Sequence, residues 1–547
     1  MAKILLLRGP LVFAKDSVSS PVSMPLSIAY LAASLLAAGH EVEVLDALGL
    51  GLDKMRTSYR PGIVYRGLSN DEIIARMHGD YDAIGVTTMF SQEWPHLRKL
   101  VDDVHRAFPD LPIIMGGEHA NACAELVLRQ CPGVQHVCLG EGEATILDYA
   151  EFLDGRRALD DVAGLVYRGN DGAVCKTTTR ARISRIDELP WPAWHLFDLE
   201  PYFATGESMG VARGRSMPIL ATRGCPYQCT FCSNPSMWTQ RYVLRDVDDL
   251  LDEIQHYLEV YRATNIDFYD LTAIVKPSWT KELCRRIQER GLHFTWQLPS
   301  GTRSEALSEE VLGLMAKTGC MNVTYAPESG SERTLREIKK QVNLDHMLES
   351  IRAAKRQGII VKCNLVIGFP KETRSDVLQT FGLALRFAQL AVDDVGIYVF
   401  SPYPGSALYR YLRERGVIGD DEKYFESLLS FMKLIPEHTF CENLGRHELV
   451  AYRVAGMALF YGASYLFHPE RIVRTIKNAA AGRADSTIEQ RVTERLRRIR
   501  RLWRDDDNDA PRVAPVVVPV APAGQKAHRT PIAKPKRARD VLRILAN

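Results

Sequence analysis

The 547-residue chain is 46% hydrophobic and 25% charged, with a formal net charge of +2. Those values suit a globular protein of about three domains and argue against nucleic acid or an anionic membrane as the main partner. Eleven cysteines, an odd number in a long chain with no recognisable secretion signal, argue against a disulfide framework and for a reducing cytoplasm.

The first 150 residues alternate strands and helices. KILLL (3–7) is an apolar run of strand length, PLSIAYLAASLLAAGH (25–40) has helical periodicity, and EVEVLDA (41–47), AIGVTTM (83–89), LPIIMGG (111–117) and HVCLGEGE (136–143) read as strands. HLRKLVDDVHRAF (96–108) reads as a helix between two of them. This alternation predicts a doubly wound parallel sheet, whose ligand crevice lies at the carboxyl ends of the strands. Thr87, Thr88, Ser91, Gly116, Gly117, Glu118, His119, Gly140 and Glu141 fall at those ends. Neither a G-x-G-x-x-G turn nor a P-loop follows the first strand, which continues as RGPLVF.

Residues 151–210 read as a connector with some β character, including GLVYRG, an Asn170-Asp171-Gly172 turn and the rigid LPWPAW. Residues 211–420 contain six strand–helix units, from PILATRG (218–224) to VGIYVFSP (395–402). They predict a partial (β/α)6 barrel with its chemistry at the carboxyl ends of its strands. Residues 421–505 read as helical. Within them VAGMALFYGASYLF (454–467) falls short of a membrane span and reads as a buried or an interfacial helix, with buried core the expectation. The proline-, alanine- and lysine-rich 506–547 carries no period and is expected to be disordered.

The run ATRGCPYQCTFC places Cys225, Cys229 and Cys232 in one loop after the first barrel strand. Structural zinc asks for four ligands, usually as two separated pairs, and no second pair is visible. A redox C-x-x-C pair leaves Cys225 without a purpose. Three thiolates on a four-iron cluster, with one iron open to a small molecule, account for all three cysteines.

CPYQCTFC at this position resembles the signature of the radical S-adenosylmethionine (SAM) enzymes. YAPESGSERTL (325–335), VIGFPKET (366–373) and VFSPYPGSALY (399–409) are similar to later motifs of that family. The resemblance implies a 4Fe–4S cluster on the three cysteines and SAM cleavage to a 5′-deoxyadenosyl radical. It further implies SAM contacts from Phe231, Arg303, Glu328, Ser329, Gly368 and Pro370. Asp270, in FYDLTAIV, departs from the family pattern at its position.

A sheet domain ahead of such a barrel resembles the cobalamin-binding subclass, which includes class B methyltransferases and the anaerobic magnesium-protoporphyrin monomethyl ester cyclase. The resemblance implies cobalamin at the sheet crevice, with Thr87, Thr88, Ser91, Gly116, Gly117, Glu118, His119, Gly140 and Glu141 around it. It implies methylation of an unactivated carbon of a small molecule, lipid-like or tetrapyrrole in kind, with a flavodoxin or ferredoxin as electron donor. An oxidative cyclase without methyl transfer and a non-catalytic iron–sulfur sensor are the alternatives.

Overall fold

The computed structural model describes residues 1–17, 22–207, 209–211, 214–431, 433, 435, 436, 438–480, 485, 486 and 489. The expected disordered tail, 506–547, lies outside the described residues.

The amino-terminal sheet is built on β1 (Lys3–Arg8), β2 (Glu41–Asp46), β3 (Ala83–Thr87), β4 (Ile113–Gly116) and β5 (His136–Cys138). These run parallel in the order β2-β1-β3-β4-β5. β1 reads as unbroken leucine and isoleucine because both its faces are covered. Leu5 and Leu7 enter one core cluster, and Ile4 and Leu6 enter the cluster on the other side. Helix α1 (Leu26–Ala37) is apolar almost all round and correspondingly buried. Helix α2 (Trp94–Ala107) carries proline in its first turn and basic residues in its last, and buries a stripe of Trp94, Leu97, Leu100, Val101 and Val104. Two short elements complete the crevice side, α3 (Glu118–Ala122) and the longer α4 (Gly142–Leu153).

Two features depart from the expectation. The GLVYRG stretch forms a hairpin, β6 (Leu165–Arg168) with β7 (Val174–Lys176), that extends the first sheet antiparallel to β5. A small antiparallel sheet of Leu11–Ala14, Met55–Thr57 and Ile63–Arg66 also went unread. Its strands are three or four residues long, too short to show a period of two.

The barrel has six parallel strands in chain order: β8 (Ser216–Ile219), β9 (Asn265–Phe268), β10 (Thr295–Thr302), β11 (Cys320–Glu328), β12 (Ile360–Ile367) and β13 (Asp394–Val399). Alternate residues point outward into the helical layer, among them Ile266, Phe268, Trp296, Val323, Tyr325, Cys363 and Ile397. The intervening positions, Asn265, Asp267, Gln297, Asn322, Thr324, Lys362 and Asn364, therefore face the lumen and make it polar. The backbone of Val211 enters from below, bonded to both ends of the Gln297 carboxamide at 2.8 and 3.0 Å.

Helix α5 (Asn234–Trp238) follows the cysteine run, and α6 (Arg374–Gln389) joins the last two barrel strands. Beyond the barrel, α7 (Arg446–Phe467) lies against α6 and β13, the open edge, and α8 (Glu470–Ala480) follows it. Gly456 permits the close approach. A Cβ there would stand 2.6 Å from Phe381 and 2.7 Å from Ile397. The expectation that 454–467 is buried core is corrected. Only 33% of the apolar window of α7 is covered, because the helix rests on the barrel by one side.

Candidate active site at the junction of two strand-end crevices

The cysteine run leaves the barrel through Arg223 and Gly224. Gly224 has φ +87°, and a Cβ there would meet the Arg241 carbonyl oxygen at 2.1 Å, so only glycine makes this turn. The turn is held from below by Asp270, whose carboxylate accepts from the Ala221 amide at 3.1 Å and the Thr222 hydroxyl at 2.5 Å. Burial pushes Asp270 up to about 6. Further along, the Thr230 amide donates to the Ile338 carbonyl at 2.9 Å, and the Thr230 carbonyl accepts from the Leu408 amide at 2.9 Å.

None of the three cysteines forms a disulfide, and each is partly exposed. Burial raises the Cys229 thiol, and it raises Cys232 to about 12. Lys340 and Arg303 oppose that rise at Cys229. Among the described residues, no three thiol, imidazole or carboxylate groups surround one point as a single ion requires. Three separate thiols in a loop with nearby cations fit a polynuclear cluster, which takes one thiolate per iron and carries net negative charge.

The residues carried over as SAM contacts gather around this loop, but several have protein partners. The Arg303 guanidinium stacks 3.8 Å from the Tyr227 ring and also donates to the Gln341 carbonyl. Glu328 holds φ +71°, an uncommon conformation for a non-glycine residue, and accepts from Lys340 at 2.8 Å. Phe231 lies 5.8 Å from the Phe369 ring, with the Lys340 ammonium 5.9 Å from its own centroid. Ser329 is fully buried and hydrogen-bonded to Thr380 at 3.1 Å. The Gly368 amide donates to Glu372, and the Pro370 carbonyl accepts from the Glu442 amide at 2.8 Å. Burial pushes Glu372 up to about 8. Beside the loop a cleft of about 850 Å³ opens between Pro226, Tyr227 and Gln228 on one side and Lys339, Lys340 and Gln341 on the other.

The sheet crevice meets the same loop. Glu141 accepts from Arg182 at 2.6 Å and from Arg223 at 3.1 Å, and Glu143 accepts from Arg223 at 2.5 Å. These groups are almost wholly buried. Glu118 turns toward Ser233 and Trp238, and α3 rests on α5. Glu141 is thus engaged in joining the two crevices.

The other crevice residues divide into backbone supports and open groups. Thr88 accepts from the Ala120 amide at 3.0 Å through its hydroxyl, and the Gly140 amide donates to Asn121 at 2.9 Å. Thr87 and Gly116 stand paired at the ends of β3 and β4, and Gly117 starts α3. His119 is 1% exposed, bonded to Ser91 at 3.0 Å, and wedged between Trp94 and Phe425. Burial lowers its pKa to about 3, and its Nε2 has no protein partner. Met89 and Phe90 stand 37% and 44% exposed just beyond β3. Large apolar side chains in the open, beside strand ends in the β2-β1-β3-β4-β5 order, fit a large planar cofactor at the switch point between β1 and β3.

Arg223, Arg182 and Lys340 went unrecognised in the sequence. Arg223 had a faint signal, a cation at the end of an otherwise apolar strand. Lys340 had none, since REIKKQ reads as an ordinary solvated charge run.

Comparison with known proteins agrees with this geometry. Residues 18–150 match the B12 binding domain, and residues 219–384 match the radical SAM superfamily. A Pyrococcus horikoshii protein named as an uncharacterised methyltransferase is 29% identical over 409 residues, covering 75% of this chain and 83% of its own. The cytidylyl-2-hydroxyethylphosphonate methyltransferase of Streptomyces wedmorensis is 29% identical over 429 residues, covering 73% and 80%. The fold matches that of the radical SAM methyltransferase TsrM of Kitasatospora setae, solved with cobalamin and a 4Fe–4S cluster, with a TM-score of 0.59 at 19% identity over 76% and 78% of the two chains. The chain is a cobalamin-binding radical SAM enzyme. Its cofactors are a 4Fe–4S cluster, SAM and cobalamin, and it is of the methyltransferase-like kind.

Proposed function

We propose that the enzyme methylates an unactivated carbon of a small polar molecule held in the barrel mouth. The observation that carries this reading is the junction itself. Glu141 and Glu143 of the sheet crevice grip Arg223, which stands just before Gly224 and Cys225. A group bound at the sheet crevice and one bound at the cysteines would therefore face a shared space.

Bound together, the three cofactors supply a hydrogen-abstracting deoxyadenosyl radical and a methyl group for transfer. The protein's part is positioning. Cys225, Cys229 and Cys232 would hold the cluster. Arg303 fixes Tyr227, and with it the middle of the cysteine run, while Lys340 fixes Glu328 and Phe231 beside Cys229. Gly224 and Asp270 set the angle at which the loop leaves the barrel. The sheet end supports Met89 and Phe90 as apolar contact surface. The substrate class follows from the lumen, where amides and hydroxyls replace the apolar lining that a lipid or a bare macrocycle would want. Asn322 and Asn364 each keep a buried carboxamide oxygen without a partner.

The test is anaerobic reconstitution with iron, sulfide and hydroxocobalamin, then SAM and a reductant, with products read by mass spectrometry. Deoxyadenosine together with bound cobalamin is expected. Deoxyadenosine without cobalamin would remove methyl transfer from the proposal. Zinc in place of iron, with no deoxyadenosine, would overturn it entirely.

A further inference from the structure

Helix α7 is apolar on two sides. Toward the barrel it buries Leu449 and Phe460 together with the polar Arg453, Tyr461 and Ser464, with Tyr461 bonded to Asp394. Its outer face shows Val454, Leu466 and Phe467 at 46, 77 and 46% exposure, with Ala455, Ala458 and Gly462 also exposed between them. No charged residue occurs from Val454 to Phe467. Helix α8 repeats the pattern. Arg471 and Arg474 turn inward to the Val392 carbonyl and to Asp393, while Ile472, Val473 and Ile476 stand 49, 53 and 64% exposed. Arg471 also bonds Ser464, so the two helices are joined on their buried side.

A soluble helix places its apolar stripe on the core. A continuous apolar surface facing outward marks a partner or a membrane. Charge separates the possible occupants. Lys477 is exposed on α8, and the sequence from 483 to 547 carries sixteen lysines and arginines against eight acidic residues. A second copy on this face would bring two chains of that net-basic sequence into one complex, where like charge opposes association. An anionic lipid surface satisfies both the apolar face and that basic excess, which is local to the carboxyl-terminal part of a chain whose net charge of +2 gives it no general attraction to such a surface.

We propose that α7 and α8 dock the enzyme on an anionic lipid surface, lying in the headgroup plane. Insertion across the bilayer is excluded by the inner face of α7, whose Tyr461–Asp394 bond and Gly456 contact hold it on the barrel edge. The inference is independent of the cofactor chemistry.

The experiment is flotation of the full chain with phosphatidylcholine vesicles, with and without phosphatidylglycerol. The wild type is expected to float with the anionic vesicles only, and less at high salt. The triple variant Leu466→Glu, Phe467→Glu, Ile476→Glu is expected to bind at least about tenfold more weakly. Its melting temperature and deoxyadenosine formation are expected to be unchanged, since these side chains make little native contact. Absence of flotation, or flotation that ignores lipid charge or the three substitutions, would overturn the proposal. So would light scattering that shows a dimer dissolved by the same substitutions, because a second copy would then cover the face.

Discussion

The barrel mouth and the sheet crevice follow one rule, ligands at the carboxyl ends of parallel strands, and fulfil it by opposite means. In the barrel the reactive donors come from a single loop of eight residues, and the surroundings only aim it. In the sheet the lining is drawn from the ends of β3, β4 and β5, and its charged members are engaged in docking. Glu141 and Glu143 bond Arg223, and α3, which carries Glu118, rests on α5 after the cysteine run. A substitution in the first region should therefore remove chemistry and leave assembly intact. One in the second should loosen assembly first.

The sharpest way to break this contrast is Cys229→Ala. It is expected to abolish cluster assembly and deoxyadenosine formation while the sheet domain keeps its circular dichroism and cobalamin uptake. Arg223→Ala comes next. Leaving Glu141 and Glu143 without this partner in a buried seam is expected to cost roughly 3–5 kcal/mol. Calorimetry should then show the sheet domain and barrel melting separately. His119→Gln is expected to cost about 1–3 kcal/mol through lost packing under Trp94 and Phe425, with cobalamin affinity within about twofold. A large loss of affinity at unchanged stability would make His119 part of the cofactor site.

The smallest effect concerns pH. Burial raises Asp270 from 3.8 to about 6, so the folded protein binds its proton more tightly than the unfolded chain does. That contribution to stability is fully present below pH 3.8 and is lost as pH rises through 6. Asp270→Asn is expected to remove this falling slope from the denaturation midpoint over that window.

Legibility followed the same division. Six strand–helix units and a contiguous cysteine run are local patterns, and both could be read residue by residue. The doubly wound order was readable as alternation, since β1 is apolar on both faces. What escaped were features whose meaning lies in distant partners. Lys340 looks like an ordinary surface charge and Arg223 like a lone cation ending an apolar strand until the fold brings them to Glu328 and Glu143. His119 reads as a crevice residue from its place just beyond β4, while the ring packed on it belongs to Phe425, far along the chain. Helix α7 misled in the other direction. Apolar composition ordinarily means core, and only the inward turn of Arg453 and Ser464 shows which face is left outside.

The seal over His119 also orders events during translation. Phe425 arrives with a segment whose acids, Glu422, Glu426 and Asp420, bind Arg98, Arg60 and Arg129 at sequence separations of 324, 366 and 291 residues. The amino-terminal sheet emerges from the ribosome long before that segment and can fold as a unit. For most of synthesis that sheet lacks the cover Phe425 gives to His119. Until Phe425 has been made, His119 stays open to solvent and can take up a proton that the finished fold denies it.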